Sequence, residues 1–153
     1  MDEAVLDTDI LSEVLKKKDQ HVLAMARQYL AKHERLAFSA ITAYEIIRGM
    51  RATKATRQLG EFLKVIGTSD VFPVAMPILM RAADLWAEAK NSGHPHDDAD
   101  LIIAATALEA RRVLVTGNAG HFTWISGLQV VDWRSATRTP GQPPGPSGKK
   151  KKR

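Results

Sequence analysis

The sequence predicts an α/β fold in which a small parallel sheet is covered by helices on both faces. Two observations carry this expectation. Short apolar runs alternate with amphipathic stretches throughout residues 1–134, the order that builds successive strand–helix–strand units. Two of those runs, Ala4-Val5-Leu6 and Val113-Leu114-Val115, read as buried strands that end on a polar residue.

The elements follow in order. After the strand at 4–6, a helix is expected over 9–18, with Ile10, Leu11, Val14 and Leu15 on one face. A second helix covers 19–32, with Val22, Leu23, Ala26, Tyr29 and Leu30 inward. Residues 35–39 form the second strand, and helices follow over 42–50 and 53–66. Residues 71–74 are a weaker strand whose Pro73 suits a sheet edge, because proline has no N–H to give a ladder. Pro77 starts a helix over 77–90, where its missing N–H costs nothing. A polar loop over 91–97 precedes an apolar helix ending at 110. Strands at 113–116 and 128–131 close the body, and Asp132-Trp133-Arg134 follows.

The charge divides unevenly. The chain has 153 residues, a formal net charge of +5 and a pI near 9.6. Residues 135–153 contain six basic residues and no acid, so residues 1–134 sum to −1. A basic pI is therefore no argument for nucleic-acid binding by the folded body. Four prolines and three glycines in those nineteen residues cannot build a core, and the segment reads as a disordered basic tail. A hydrophobic fraction of 44% excludes disorder for the chain as a whole. No apolar run approaches the roughly 18 residues of a membrane span. The opening MDEAVLDTDI does not read as a signal peptide. Zero cysteines exclude thiolate metal sites and agree with a reducing cytoplasm, so any metal must be held by oxygen or histidine.

In parallel α/β sheets, chemistry gathers outside the carboxyl ends of the strands. Asp7 directly follows the first strand, where a carboxylate is costly unless it meets water, a donor or a cation. A helix N-cap is the structural alternative. Glu45 follows the second strand, either completing a Thr42-x-x-Glu45 capping box or pointing into the same crevice as Asp7. Asp97, Asp98 and Asp100 precede an almost wholly apolar helix; capping accounts for one or two of them, and Asp100 is placed to point inward. Thr116-Gly117-Asn118 follows the strand run Val113-Leu114-Val115 and reads as a turn. Three carboxylates from separate strand ends suit a hard cation with oxygen ligands, Mg²⁺ or Mn²⁺, and metal-assisted hydrolysis of a phosphodiester.

Five motifs stand in order: Val-Leu-Asp7-Thr-Asp9; Ser39-x-x-Thr42-x-x-Glu45-x-x-x-Gly49; Asp98-Ala-Asp100-Leu-Ile-Ile-Ala-Ala-Thr-Ala-Leu; Leu-Val-Thr116-Gly-Asn118-x-x-His121-Phe122; and Gly-Leu-x-Val-x-Asp-Trp133. Together they resemble the PIN-domain ribonucleases, in particular the VapC-type toxins of toxin–antitoxin pairs, over essentially all of residues 1–134. The resemblance implies a three-layer PIN-like α/β domain and an Mg²⁺- or Mn²⁺-dependent endoribonuclease. It also implies a homodimer, an RNA substrate, a cognate antitoxin that blocks the site, and products with a 5′-phosphate and a 3′-hydroxyl. Carried over by position, Asp7, Glu45 and Asp100 are the metal-binding carboxylates. Asp98 is an additional candidate ligand, and Thr116 hydrogen-bonds within the site. Asn118 stands where many such domains carry a fourth acid; a neutral amide is a weaker ligand, which puts tight binding of a second metal in doubt.

Two other readings compete. Asp7-x-Asp9 after an apolar strand resembles the nucleophile motif of haloacid-dehalogenase-like phosphatases, but the later acids Asp97 and Asp98 have no strand before them. A domain of this fold could instead only bind RNA or protein. Among the remaining motifs, His94-x-His96 reads as part of a polar loop rather than a zinc or nickel site. Met76, Leu79, Met80, Ala83 and Trp86 read as core or interface.

Overall fold

A computed structural model of the chain describes residues 1–94 and 96–135; the expected tail beyond Ser135 lies outside the described residues. The elements are β1 (Ala4–Leu6), α1 (Thr8–Lys16), α2 (Gln20–His33), β2 (Ala37–Ser39), α3 (Ala40–Ala52), α4 (Thr56–Gly67), β3 (Asp70–Phe72), α5 (Met76–Asn91), α6 (Asp98–Ala110), β4 (Val113–Val115) and β5 (Val130–Val131). A short 3-10 turn, Ala119–His121, follows β4. Among the described residues, no helix is long and apolar enough to cross a membrane.

All strand pairs are parallel, in two ladders ordered β1-β4-β5 and β2-β3. The register sets Leu6 of β1 against Val115 of β4. The residues that follow these strands, Asp7 and Thr116, therefore emerge side by side. The Asp7 N–H donates to the Val115 carbonyl at 2.8 Å, and the Thr116 N–H to the Val131 carbonyl at 3.0 Å.

The strand period of two sorts side chains into two cores. Ala4, Leu6 and Val115 join Ile10, Leu11, Val22, Tyr29, Phe38, Phe62 and Trp133 on one face. Val5 and Leu114 join Ile78, Leu85, Leu101, Ile103 and Phe122 on the other. Helices thus cover both faces, α1 to α4 on one side and α5 and α6 on the other. Helix α6 is apolar nearly all round because it is buried nearly all round.

The sheet is not one continuous ladder, and Tyr29 supplies a reason. In a parallel ladder, alternate residues of β1 direct their backbone groups away from β4. Ala4 is one of these, and the Tyr29 hydroxyl accepts its N–H at 3.0 Å and donates to its carbonyl at 3.4 Å. Tyr29 also packs on Trp133, with ring centroids 5.9 Å apart, which ties the end of the described chain to the core.

Helix α5 departs from a core reading. Ile78, Ala82, Leu85 and Ala89 are buried, whereas Met76, Met80 and Trp86 are 65%, 64% and 47% exposed. Those large apolar side chains form an outward face.

Candidate active site

Buried polar groups mark the site. Asp7, Ser39, Thr42 and Thr116 are all buried, and all lie at or just past the carboxyl ends of β1, β2 and β4. Asp7 is the N-cap of α1: its Oδ1 accepts the Thr8 N–H at 2.7 Å. Capping leaves the second oxygen free for other work. Thr116 donates its hydroxyl to Asp7 Oδ2 at 2.8 Å and accepts the Asn118 N–H at 3.1 Å.

Asp9, in the first turn of α1, holds the loop after β4. Its Oδ2 accepts the Gly117 N–H at 2.9 Å and the Asn118 amide at 3.4 Å, and Arg134 Nη1 stands 3.8 Å away. Arg134 also reaches Glu13 at 3.4 Å. The backbone of Gly117 lies so close to these groups that a Cβ there would sit 2.7 Å from Asp9 Oδ2 and would overlap the Arg134 guanidinium.

Glu45 does not form a capping box. Ser39 is the N-cap of α3, its hydroxyl accepting the Ile41 N–H at 3.2 Å, so the helix begins earlier than the Thr42-x-x-Glu45 spacing suggests. Thr42 is then buried inside the first turn, and Glu45 projects toward α1. Its Oε1 accepts the Thr8 hydroxyl at 2.8 Å, and the Thr8 and Thr42 hydroxyl oxygens are hydrogen-bonded at 3.1 Å. Arg48 lies 3.6 Å from the other Glu45 oxygen.

At the start of α6 the three acids diverge. Asp97 is the N-cap and accepts the Asp100 N–H at 2.9 Å. Asp98 is exposed and lines a shallow groove between α5 and α6, with Leu79 and Trp86. Asp100 is half-buried and lies within electrostatic reach of Asp97, His121, Glu45 and Asp9.

The carboxylates push one another toward protonation. Asp7 is raised to about 7, first by burial and then by the charge of Asp9; the Thr116 and Thr8 hydrogen bonds oppose this, and Asp100 adds to it. Asp100 is raised to about 6, mainly by burial and by Asp97. Burial also raises Asp9, against the Gly117 and Ile10 N–H donors. Among the described residues, no Lys or Arg pairs with Asp7 or Asp100. Mutually repelling carboxylates without a cationic partner are the donor set of a hard divalent cation. Among the described residues, no three acidic or histidine side chains are gathered tightly enough to cage an ion.

Asp7, Glu45, Asp100, Thr116 and Asn118 thus share one end of the molecule, and Asp98 turns to the α5 groove. Thr8 and Asp9 join this cluster through Glu45 and the Gly117-Asn118 turn; the sequence reading does not single out Thr8, and it weighs Asp9 only in the phosphatase-like alternative. Asp9 stands within the first motif, but its hold on Gly117 is a contact across more than a hundred residues.

Residues 4–123 match the PIN domain. The VapC ribonuclease Y4jK of Sinorhizobium fredii is 34% identical over 86% of this chain and 99% of its own length. Ribonuclease VapC1 of Haemophilus influenzae is 30% identical over 84% of this chain and 96% of its own length. The crystal structure of DNA-bound VapBC from Salmonella typhimurium superposes with a TM-score of 0.76 at 26% identity, covering 87% of this chain and 99% of that one. With the match spanning both strands that carry the buried carboxylate and its threonine partner, the chain belongs to the PIN-domain family.

Proposed function

We propose that the chain is the toxin of a VapBC-type pair, a divalent-metal-dependent endoribonuclease. The observation that carries this reading is the convergence of Asp7, Glu45 and Asp100, from β1, α3 and α6, with two of the three carboxyls raised by burial and mutual repulsion. Similarity to VapC ribonucleases over most of the chain supports the same activity.

Asp7, Glu45 and Asp100 would hold Mg²⁺ or Mn²⁺, with Asp98 an outlying candidate. The chemistry a bound cation supplies there is activation of water and neutralisation of phosphate charge. The chain's own residues prepare the ligands. Thr116 and the Thr8 N–H fix both oxygens of Asp7, and the Thr8 hydroxyl fixes one oxygen of Glu45. Asp9 holds the Gly117-Asn118 turn against α1, so Asn118 presents a neutral amide beside the acids. Without a bound cation, Asp7 and Asp100 would repel RNA, which argues against a module that only binds.

Two partner surfaces accompany the site. A largely apolar cleft of about 310 Å³ between α1 and α3–α4, lined by Leu15, Ile46 and Met50, opens beside Thr8 and Glu45. A segment of an antitoxin laid there would reach and block the carboxylates. The outward face of α5, with Met76, Met80 and Trp86, suits the homodimer. The basic residues over 135–153 would tether RNA without sequence preference.

The reading is tested by mapping cleavage of total cellular RNA, wild type beside Asp7→Asn. Discrete new 5′-phosphate ends with the wild type and none with the variant are expected.

A further inference from the structure

Three of the chain's five histidines gather at one edge of the carboxylate cluster, where the proposed chemistry gives them no task. His94 stacks on Trp124 with centroids 5.5 Å apart and planes 12° apart, and His96 stacks on the same indole at 5.0 Å and 29°. The two imidazoles are 6.5 Å from each other, so the three rings form one cluster. The indole is locked from below. Its Nε1 donates to the His121 carbonyl at 2.8 Å, and Trp124 packs against the core that holds Phe122 and Ile125.

This platform continues into the site. His96 meets the His121 ring edge-on at 6.3 Å, the His121 N–H donates to the Asn118 carbonyl at 2.9 Å, and Asp97, next to His96 in the chain, accepts the Asp100 N–H at 2.9 Å. His94 and His121 are exposed, and His96 is half-buried. A wall of rings running outward from the acids, rigid at its base and open to solvent, has the form used to seat unpaired nucleobases. The polar-loop reading of His94-x-His96 left these contacts out, because Trp124 and His121 lie some 25 to 30 positions later in the chain.

The geometry points to a stacking subsite for single-stranded RNA, formed by His94, His96, His121 and Trp124, that seats bases flanking the scissile phosphate beside Asp100. This rests on the endoribonuclease reading, and it adds the residues that would hold the bases on either side of the cut. Stacking tolerates every base, so the subsite contributes affinity and placement more than sequence choice.

The test uses the full chain and a fluorescent single-stranded RNA of mixed sequence. Binding is read by anisotropy in EDTA, and steady-state cleavage is measured in Mg²⁺. The double substitution His94→Ala with His96→Ala should weaken binding roughly tenfold and raise KM by a similar factor while leaving kcat within about twofold. His96→Phe, which keeps a ring and loses both nitrogens, should retain most of the affinity. A duplex of the same sequence should bind the wild type and the double variant equally. Unchanged oligonucleotide affinity and KM in the double variant would overturn the subsite, including the case in which this surface serves only a protein partner. Loss in His96→Phe as large as in the alanine variant would overturn stacking as its basis. A wild-type chain that binds the oligonucleotide through these residues without cutting it would instead contradict the nuclease reading and leave the subsite standing.

Discussion

Thr116 and Asp7, separated by 109 positions in sequence, share a 2.8 Å hydrogen bond at the carboxyl ends of paired parallel strands. Both side chains are buried. The threonine hydroxyl offsets part of the cost of placing a carboxylate there, yet burial still raises Asp7 to about 7. Asp7 is therefore held in position at some expense to the fold.

That expense has a sign that can be measured. With its folded pKa raised from 3.8 to about 7, Asp7 stays protonated in the native protein where the unfolded chain has released the proton. Metal-free stability contributed by this group is thus lost as pH rises between those values. Asp7→Asn removes the buried charge, and at roughly 1.4 kcal/mol per pKa unit it should stabilise the metal-free protein at pH 8 by a few kcal/mol. Thermal unfolding in EDTA should show a higher Tm for the variant at pH 8 and near-equality at pH 4. A lower Tm at pH 8 would contradict the electrostatic account.

Thr116→Val keeps the shape and removes the hydroxyl. It leaves Asp7 Oδ2 without its donor and the Asn118 N–H without its acceptor, at a cost of about 1–3 kcal/mol. Asp7 should then hold its proton more tightly, and protons compete with the cation for the same oxygen. Half-maximal cleavage at pH 7 should need several-fold more Mg²⁺, with the gap narrowing at pH 8.5. Thr116→Ser should restore the wild-type titration.

Gly117→Ala tests the close approach of the turn to α1. The added Cβ meets Asp9 Oδ2 at 2.7 Å and the Arg134 guanidinium. Destabilisation of about 1–3 kcal/mol is expected in urea unfolding. Arg134 is a flexible side chain that can move aside, whereas Asp9 is tied to the Gly117 N–H. Arg134→Ala should therefore relieve only part of the cost in a double-mutant cycle.

Met80→Glu places a charge on the outward face of α5, where Met80 is 64% exposed and contributes little to the core. Sedimentation should show a monomer for the variant and a dimer for the wild type, with equal far-ultraviolet circular dichroism. An unchanged dimer would move the self-association surface elsewhere.

Much of this arrangement is legible in the residues themselves. Apolar runs ending on Asp7 and Thr116 locate two strands and the site between them, and a surplus of acids before α6 singles out Asp100. Local pattern misleads where a second local pattern competes. Thr42-x-x-Glu45 has capping-box spacing, but Ser39 caps the helix first and frees Glu45 for Thr8. Patterns on α5 do not tell an inward apolar residue from an outward one when both faces are apolar. Contacts made across the fold leave no periodic trace, which is why the bond from Asp9 to Gly117 and the ring platform of His94, His96 and Trp124 emerge only with the structure.

In the proposed function, Asp7 and Asp100 serve RNA cleavage by holding a divalent cation. The most direct measurement is cleavage of one defined single-stranded RNA across a Mg²⁺ titration, for wild type, Asp7→Asn and Asp100→Asn, with folding verified in each sample. The account predicts saturable Mg²⁺-dependent cleavage by the wild type, abolition by EDTA, recovery with Mn²⁺, and a loss of at least about a thousandfold in both variants. Full activity in EDTA, or undiminished cleavage by Asp7→Asn, would contradict it.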